Sequence, residues 1–215
     1  MIPTYVDVPA TLATFQTGGH VQDVDGVPMW KLAMDLQRYA TVIAATKPDV
    51  IVETGTMWGG SALWFEQFGC DVITVDIDDR PARLYSAYAK CQHTTFILGD
   101  CLDPGVLDQI RERIGGRRVM VSLDSAHDAL HVAAEINAYG PLVSIGCYLV
   151  VEDGIFDLDP TDKGKAQGGA LIPETGGPLR AIESILVHSP YWTRDMSIER
   201  AYPLSYYPAG WWMRK

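Results

Sequence analysis

The chain has 215 residues, 47% of them hydrophobic, and a formal net charge of −10. That length sustains one domain with a substantial core, and no apolar run is long enough to cross a bilayer. With 27 acidic against 17 basic residues, a broad field attracting nucleic acid is not available, so a small-molecule partner fits better than DNA or RNA.

The basic clusters at Arg111 to Arg118 and at Arg214 and Lys215 are short and read as solvated ends. Cys70, Cys91, Cys101 and Cys147 lie far apart without a CxxC pair, which makes them small core residues rather than a zinc or redox motif. The opening residues MIPTYVDVPATLATFQTGGH lack the basic start, apolar centre and cleavage site of a secretory signal, and a cytoplasmic location is expected. We read residues 1–215 as one domain, with residues 1–29 as an N-terminal segment.

Leu32, Leu36, Tyr39, Ala40 and Ile43 recur at helical spacing and predict a helix over Trp30 to Thr46, ended by Pro48. Short, apolar, β-branched runs follow at Val50 to Glu53, Val72 to Val75, Thr95 to Leu98, Val119 to Leu123 and Cys147 to Val151, as strands buried on both faces require. Helical patterns at Ser61 to Phe68, Arg80 to Ala89, Gly105 to Ile114 and Ala129 to Ala138 separate them. This alternation predicts an α/β, doubly wound, Rossmann-like fold with a mostly parallel sheet. Residues 155–177 are polar and rich in Gly and Pro, which suggests a lid or flexible loop. A helix at Pro178 to Val187 and two β-like runs, Trp192 to Ile198 and Leu204 to Trp212, predict a closing antiparallel hairpin. Trp211 and Trp212 suit a core strand or an interface between copies of the chain equally, so a homo-oligomer stays open.

The most informative segment is VETGTMWGGSALWF, where the first parallel strand ends at Glu53 and passes Gly55, Thr56, Gly59 and Gly60 into a helix. In a doubly wound sheet this is the ligand crevice. A dinucleotide site would show GxGxxG, and Glu53 would repel its pyrophosphate. An acidic strand end suits a ligand carrying an ammonium and a sulfonium, which describes S-adenosylmethionine. Asp76, twenty-three residues after Glu53, stands near the spacing at which a carboxylate meets ribose hydroxyls. Asp100 could accept from the adenine amino group, with the backbone at Cys101 facing the ring. Each acid taken singly could merely cap the next helix.

The fourth and fifth parallel strands end in VSLDSAH and LVVEDG, so Asp124, Glu152 and Asp153 should meet at one edge. Gathered carboxylates select a hard, magnesium-like ion. Such an ion binds an acceptor hydroxyl, lowers its pKa and orients it toward the methyl donor. Asp124 is also expected to touch the cofactor, and His127 is placed to take the acceptor proton. His127 and His131 are four apart, a spacing that can hold zinc, but no HExxH accompanies them and the neighbours are carboxylates.

The segments VETGTMWGGSALWF, VMVSLDSAH and YLVVEDG, preceded by MWKLAMDLQRYATVIAATKPDVI, resemble the cephalosporin hydroxylase and rhamnosyl O-methyltransferase family. The resemblance runs from about Pro28 to Gly154, with weaker support in GGPLRAIESIL. It implies a class I methyltransferase fold and a magnesium-assisted O-methyltransferase acting on a hydroxyl of a sugar or natural-product intermediate. It implies cofactor contacts at Glu53, Gly55, Ser61, Asp76 and Asp100 and metal ligands at Asp124, Glu152 and Asp153. N- or C-methyl transfer, and a silent cofactor-binding protein, are the alternatives. Gathering three carboxylates in a site without catalysis brings a pure binder little.

Overall fold

A computed structural model describes residues 2–19, 21–78, 87–159, 166–167, 170–171 and 176–215. The chain opens with helix α1 (Val8–Thr17), capped by Asp7, whose side chain accepts from the Ala10 amide. An antiparallel hairpin of β1 (Val21–Val24) and β2 (Val27–Trp30) follows. Its two-residue turn is Asp25 and Gly26, both at positive φ, the backbone that lets a tight hairpin match the strand twist. The N-terminal segment is thus more structured than expected. Helix α2 starts at Ala33 rather than Trp30, because Trp30 is the last residue of β2.

From there the strands follow the apolar runs: β3 (Val50–Thr54), β4 (Asp71–Asp76), β5 (Thr94–Leu98), β6 (Val119–Leu123) and β7 (Tyr148–Val151). Between them lie α3 (Gly60–Glu66), α5 (Pro104–Ile114) and α6 (Ala129–Tyr139), while residues 87–90 are helical (α4). The rest of the helix expected at Arg80 to Ala89 lies outside the described residues. Gly154–Leu158 form a 3₁₀ turn, and β8 (Ala166–Gln167) pairs with β9 (Ala170–Leu171). Most of the expected lid is likewise outside the described residues. The chain ends with α7 (Pro178–Ile185), β10 (Trp192–Arg194), α8 (Met196–Glu199) and β11 (Trp211–Arg214).

The main sheet has the order β10-β11-β7-β6-β3-β4-β5. Strands β3 to β7 are parallel, and β11 runs antiparallel to both β7 and β10, giving the doubly wound architecture with an antiparallel edge. Alternate residues bury on opposite faces: Val52, Val75 and Val121 pack with Ile110, Ile136 and Trp212, whereas Ile51, Val72 and Met120 pack with Tyr39, Phe65 and Trp211. Trp211 and Trp212 therefore fill the core on the two sides of the sheet. Each large side chain so buried contributes roughly 1.5–3 kcal/mol.

The terminal strands are shorter than their β-like sequence. The first stops at Asp195, whose carboxylate accepts from Ser197 N and Ile198 N and caps α8. The second starts late because residues 198–206 bind α2 instead of a strand. Fully buried Arg38 donates to the carbonyls of Ile198, Glu199, Tyr202 and Leu204. Its ion-pair partner Asp35, 2.9 Å away, also accepts from Ser205 Oγ and Tyr206 N. Arg38→Met should leave Asp35 without its countercharge and four carbonyls without their donor and cost about 3–5 kcal/mol, read as a lowered urea midpoint. An unchanged midpoint would mean that the clamp holds nothing.

Candidate active site

The carboxyl ends of neighbouring strands step across the sheet through backbone hydrogen bonds: Gly55 N to Val75 O, Asp124 N to Thr54 O, and Glu152 N to Leu123 O. Gly55 sits at φ +85, and a Cβ there would lie 1.8 Å from the Asp124 carbonyl oxygen. Only glycine allows β3 and β6 to leave the sheet this close together. One residue before the end of β3, Glu53 is fully buried. Its Oε2 accepts from Thr74 Oγ1 at 2.8 Å, while Oε1 makes no hydrogen bond. Burial raises its pKa to about 7, against the opposing pull of Lys31, Ser61 and Thr74.

Glu53 and Asp124 cap no helix. That task falls to Asp103 for α5 and Asp128 for α6, while α3 starts from Gly59 without a side-chain cap. Asp76 braces the glycine turn, its Oδ2 accepting from Thr56 N and Met57 N at 2.9 and 2.8 Å and its Oδ1 from Asp78 N. Asp100 is exposed and accepts from Leu102 N. The backbone at Cys101 is fixed by Tyr139, whose hydroxyl donates to the Cys101 carbonyl at 2.7 Å.

At the ends of β6 and β7, Asp124, His127 and Asp153 place an oxygen, a nitrogen and an oxygen within 4.8 Å of one another. His127 Nε2 is 3.1 Å from Asp153 Oδ2 and 3.7 Å from Asp124 Oδ1, yet neither ring nitrogen makes an aligned hydrogen bond. The ring tilts against Phe156 with centroids 5.7 Å apart. Asp153 occupies the left-handed region at φ +58, an uncommon backbone for a non-glycine residue that marks a constrained turn. The two carboxylates outweigh burial and raise the His127 pKa to about 9. Burial raises that of Asp153, while Asp124 is held at about 2 by Lys31 and His127 despite its own desolvation. The carboxylates of Asp124 and Asp153 form an oxygen donor set that a hard divalent cation fits, with the unaligned imidazole beside them.

Glu152 has different company. Two residues before the start of α2, Lys31 is 2% exposed and sends Nζ to Asp124 Oδ2 at 2.9 Å and to both oxygens of Glu152 at 2.8 and 2.6 Å. Tyr39 Oη and Ser122 Oγ also donate to Glu152 Oε1, at 2.6 and 2.7 Å, and the Tyr207 ring stands 5.8 Å from the ammonium. These carboxylates keep Lys31 charged and raise its pKa, although burial opposes them. Sequence reasoning missed Lys31; its signal was a lone cation in the apolar run VPMWKLAM.

The family model for Rhamnosyl O-methyltransferase/CmcI matches residues 20–215. A rhamnosyl O-methyltransferase of Mycobacterium tuberculosis is 30% identical over 74% of this chain and 64% of its own length, so the chain spans about two-thirds of that relative. One from Mycobacterium leprae is 27% identical over 88% of this chain and 82% of its own. Among solved structures, CmcI with Mg and SAM superposes with a TM-score of 0.67 at 21% identity, covering 90% of this chain and 76% of that one. MycE methyltransferase of mycinamycin biosynthesis, with Mg, SAH and mycinamycin VI, gives 0.53 at 21%, covering 83% and 44%. The fold is accordingly the class I, Rossmann-like methyltransferase fold.

Replacing Lys31 by Met should leave Glu152 and part of Asp124 buried without a countercharge and lower stability by about 3–5 kcal/mol in the presence of a chelator. Magnesium should restore part of that loss, because a cation again pairs the acids. Urea unfolding with and without Mg²⁺ measures both; a loss under about 1 kcal/mol would be the signature of a replaceable ammonium.

Proposed function

This chain belongs to the rhamnosyl O-methyltransferase/CmcI family, and on that premise we propose that it methylates a hydroxyl of a sugar or natural-product intermediate, using S-adenosylmethionine and a magnesium-like ion. The observation that carries this reading is the convergence of Asp124, His127 and Asp153 at the sheet edge where Glu53 keeps one buried oxygen unbonded. A cation-seeking carboxylate beside a cation-binding cluster suits a positively charged donor and an oxygen acceptor.

In this reading Glu53 Oε1 receives the ammonium of the cofactor's methionine part. The turn of Gly55, Thr56 and Gly59, with Ser61 behind it, brings backbone close to the ligand. Asp76 braces that turn and faces the ribose, while Asp100 and the peptide of Cys101 face the adenine. Asp124 and Asp153 hold the metal ion, with Glu152 beside them as the third carboxylate that Lys31 keeps in place. Hard ions prefer oxygen donors, which leaves the imidazole of His127 free.

When bound, the cofactor supplies an electrophilic methyl group and the metal ion supplies a Lewis acid that polarises and orients the acceptor oxygen. His127 takes the acceptor proton at Nε2. Its pKa of about 9 reflects two carboxylates that would be neutralised by a cation, and the ring would then be available in its neutral form. The Phe156 ring packed against it holds the imidazole in place.

Two measurements test the assignment. Cofactor affinity should require ionised Glu53, whose pKa is about 7. Binding of S-adenosylhomocysteine, measured by calorimetry, should therefore hold above pH 7 and weaken by up to about tenfold per unit below it. Glu53→Gln should bind weakly without that slope, and an equal slope in the variant would remove Glu53 from the site. In a transfer assay with rhamnosyl and macrolide-sugar acceptors, chelation or Asp153→Ala should abolish turnover while cofactor affinity changes only a few-fold. Full turnover after exhaustive chelation would refute the metal assignment.

A further inference from the structure

A second group of donors lies on the other side of Ser125, and the proposed methyl transfer leaves its side chains unused. Glu135, one turn after His131 on α6, is 1% exposed, and Cys101 in the loop after β5 is 7% exposed. Cys101 Sγ is 3.5 Å from His131 Nε2 and 3.5 Å from Glu135 Oε1, and His131 Nε2 is 3.8 Å from Glu135 Oε2. Ligands sharing a tetrahedral zinc ion, with bonds of roughly 2.0–2.3 Å, are separated by roughly 3.3–3.6 Å. The cluster is close to that spacing.

The carboxylate adds a second, independent sign. Ser125 Oγ donates to Glu135 Oε1 at 2.8 Å, yet Oε2 makes no hydrogen bond although it is buried. A buried oxygen without a donor costs free energy unless something binds it. Here it faces the imidazole of His131 at 3.8 Å, while the thiol of Cys101 meets the other oxygen of the same carboxylate. Side chains on either side are fixed: the Cys101 carbonyl by Tyr139, and α6 by the Asp128 cap on Leu130 N and His131 N. The His131 side chain is 25% exposed, which gives an ion a path inward.

We propose that Cys101, His131 and Glu135 form a second cation site, selective for a thiophilic divalent ion such as Zn²⁺ and separate from the carboxylate site at Asp124 and Asp153. A thiolate and an imidazole favour zinc over magnesium, whereas the carboxylate site favours the reverse. Three protein ligands leave a fourth position for Ser125 Oγ, 3.2 Å from His131 Nε2, or for water. The ion ties the β5 loop to α6.

The test uses the whole protein with Mg²⁺ in excess and Zn²⁺ or Co²⁺ as probe. Competition with a chromophoric chelator should give one tight Zn²⁺ per chain, and Co²⁺ should show a thiolate-to-metal charge-transfer band. Cys101→Ser should remove the band, and Cys101→Ser and His131→Gln should each weaken Zn²⁺ by more than the roughly 10–100-fold typical of losing a supporting partner. Asp153→Asn should retain both signals. If Cys101→Ser fails to fold, the partly exposed His131 variant decides. Absence of the band, unchanged binding in the His131 variant, or loss of zinc in Asp153→Asn would each overturn the proposal.

Discussion

The ammonium of Lys31 is the interaction on which the sheet's carboxyl edge depends. Strands β6 and β7 each deliver a carboxylate to the same place, and two unit charges about 4 Å apart repel by roughly 4 kcal/mol at an effective dielectric of 20. Lys31 Nζ sits within hydrogen-bonding distance of both Asp124 and Glu152 and turns that repulsion into a bridge. Tyr39 and Ser122 fill further lone pairs of Glu152, so a buried charge that would otherwise be costly is satisfied. The helix that follows Lys31 anchors the C-terminal segment through Asp35 and Arg38. Lys31 just before α2, with Asp35, Arg38 and Tyr39 on α2, thus forms a polar seam that joins the parallel strand ends to the C-terminal segment.

Satisfied and unsatisfied polar groups are distributed unevenly. Helix capping uses Asp7, Asp103, Asp128 and Asp195, each accepting from backbone amides. The acids at the ends of β3, β6 and β7 do no such work. Glu53 Oε1, both nitrogens of His127 and Glu135 Oε2 are buried atoms without hydrogen-bond partners, and they lie at or just behind the carboxyl edge. Native folds rarely leave such atoms unpaired, and these four belong to ionisable side chains that a bound cation could satisfy.

The parallel strands were legible because burial on both faces forces continuous β-branched runs, and their ends were legible because an acid directly after such a run is conspicuous. Glu53, Asp124 and Asp153 could be found that way. Lys31 was harder, since its partners lie 93 and 121 residues away and its one local sign, a lone cation in an apolar run, names no partner. The N-terminal hairpin hid in four-residue strands with polar positions; only Asp25-Gly26 signalled it. The late start of β11 followed from Asp35, which recruits Ser205 and Tyr206 into hydrogen bonds outside the ladder. Asp76 shows a different limit: a carboxylate at that spacing can face a ribose, brace a turn, or do both, and residue identity does not separate these.

The charge of the edge also constrains what can bind beside it. Among the described residues, the ammonium of Lys31 pairs Asp124 and Glu152 and the imidazole of His127 stands beside Asp124 and Asp153, while Glu53 is buried next to them in a chain whose formal net charge is already −10. A substrate bearing phosphate or carboxylate would enter an unfavourable field, and screening weakens in a partly buried cleft. A cationic donor and a divalent ion lower that field, after which a neutral hydroxyl can approach without a desolvated charge of its own. Under the function proposed above, these electrostatics favour an order in which cation-bearing ligands bind before the acceptor, and an acceptor recognised through hydroxyl groups rather than through an ion pair.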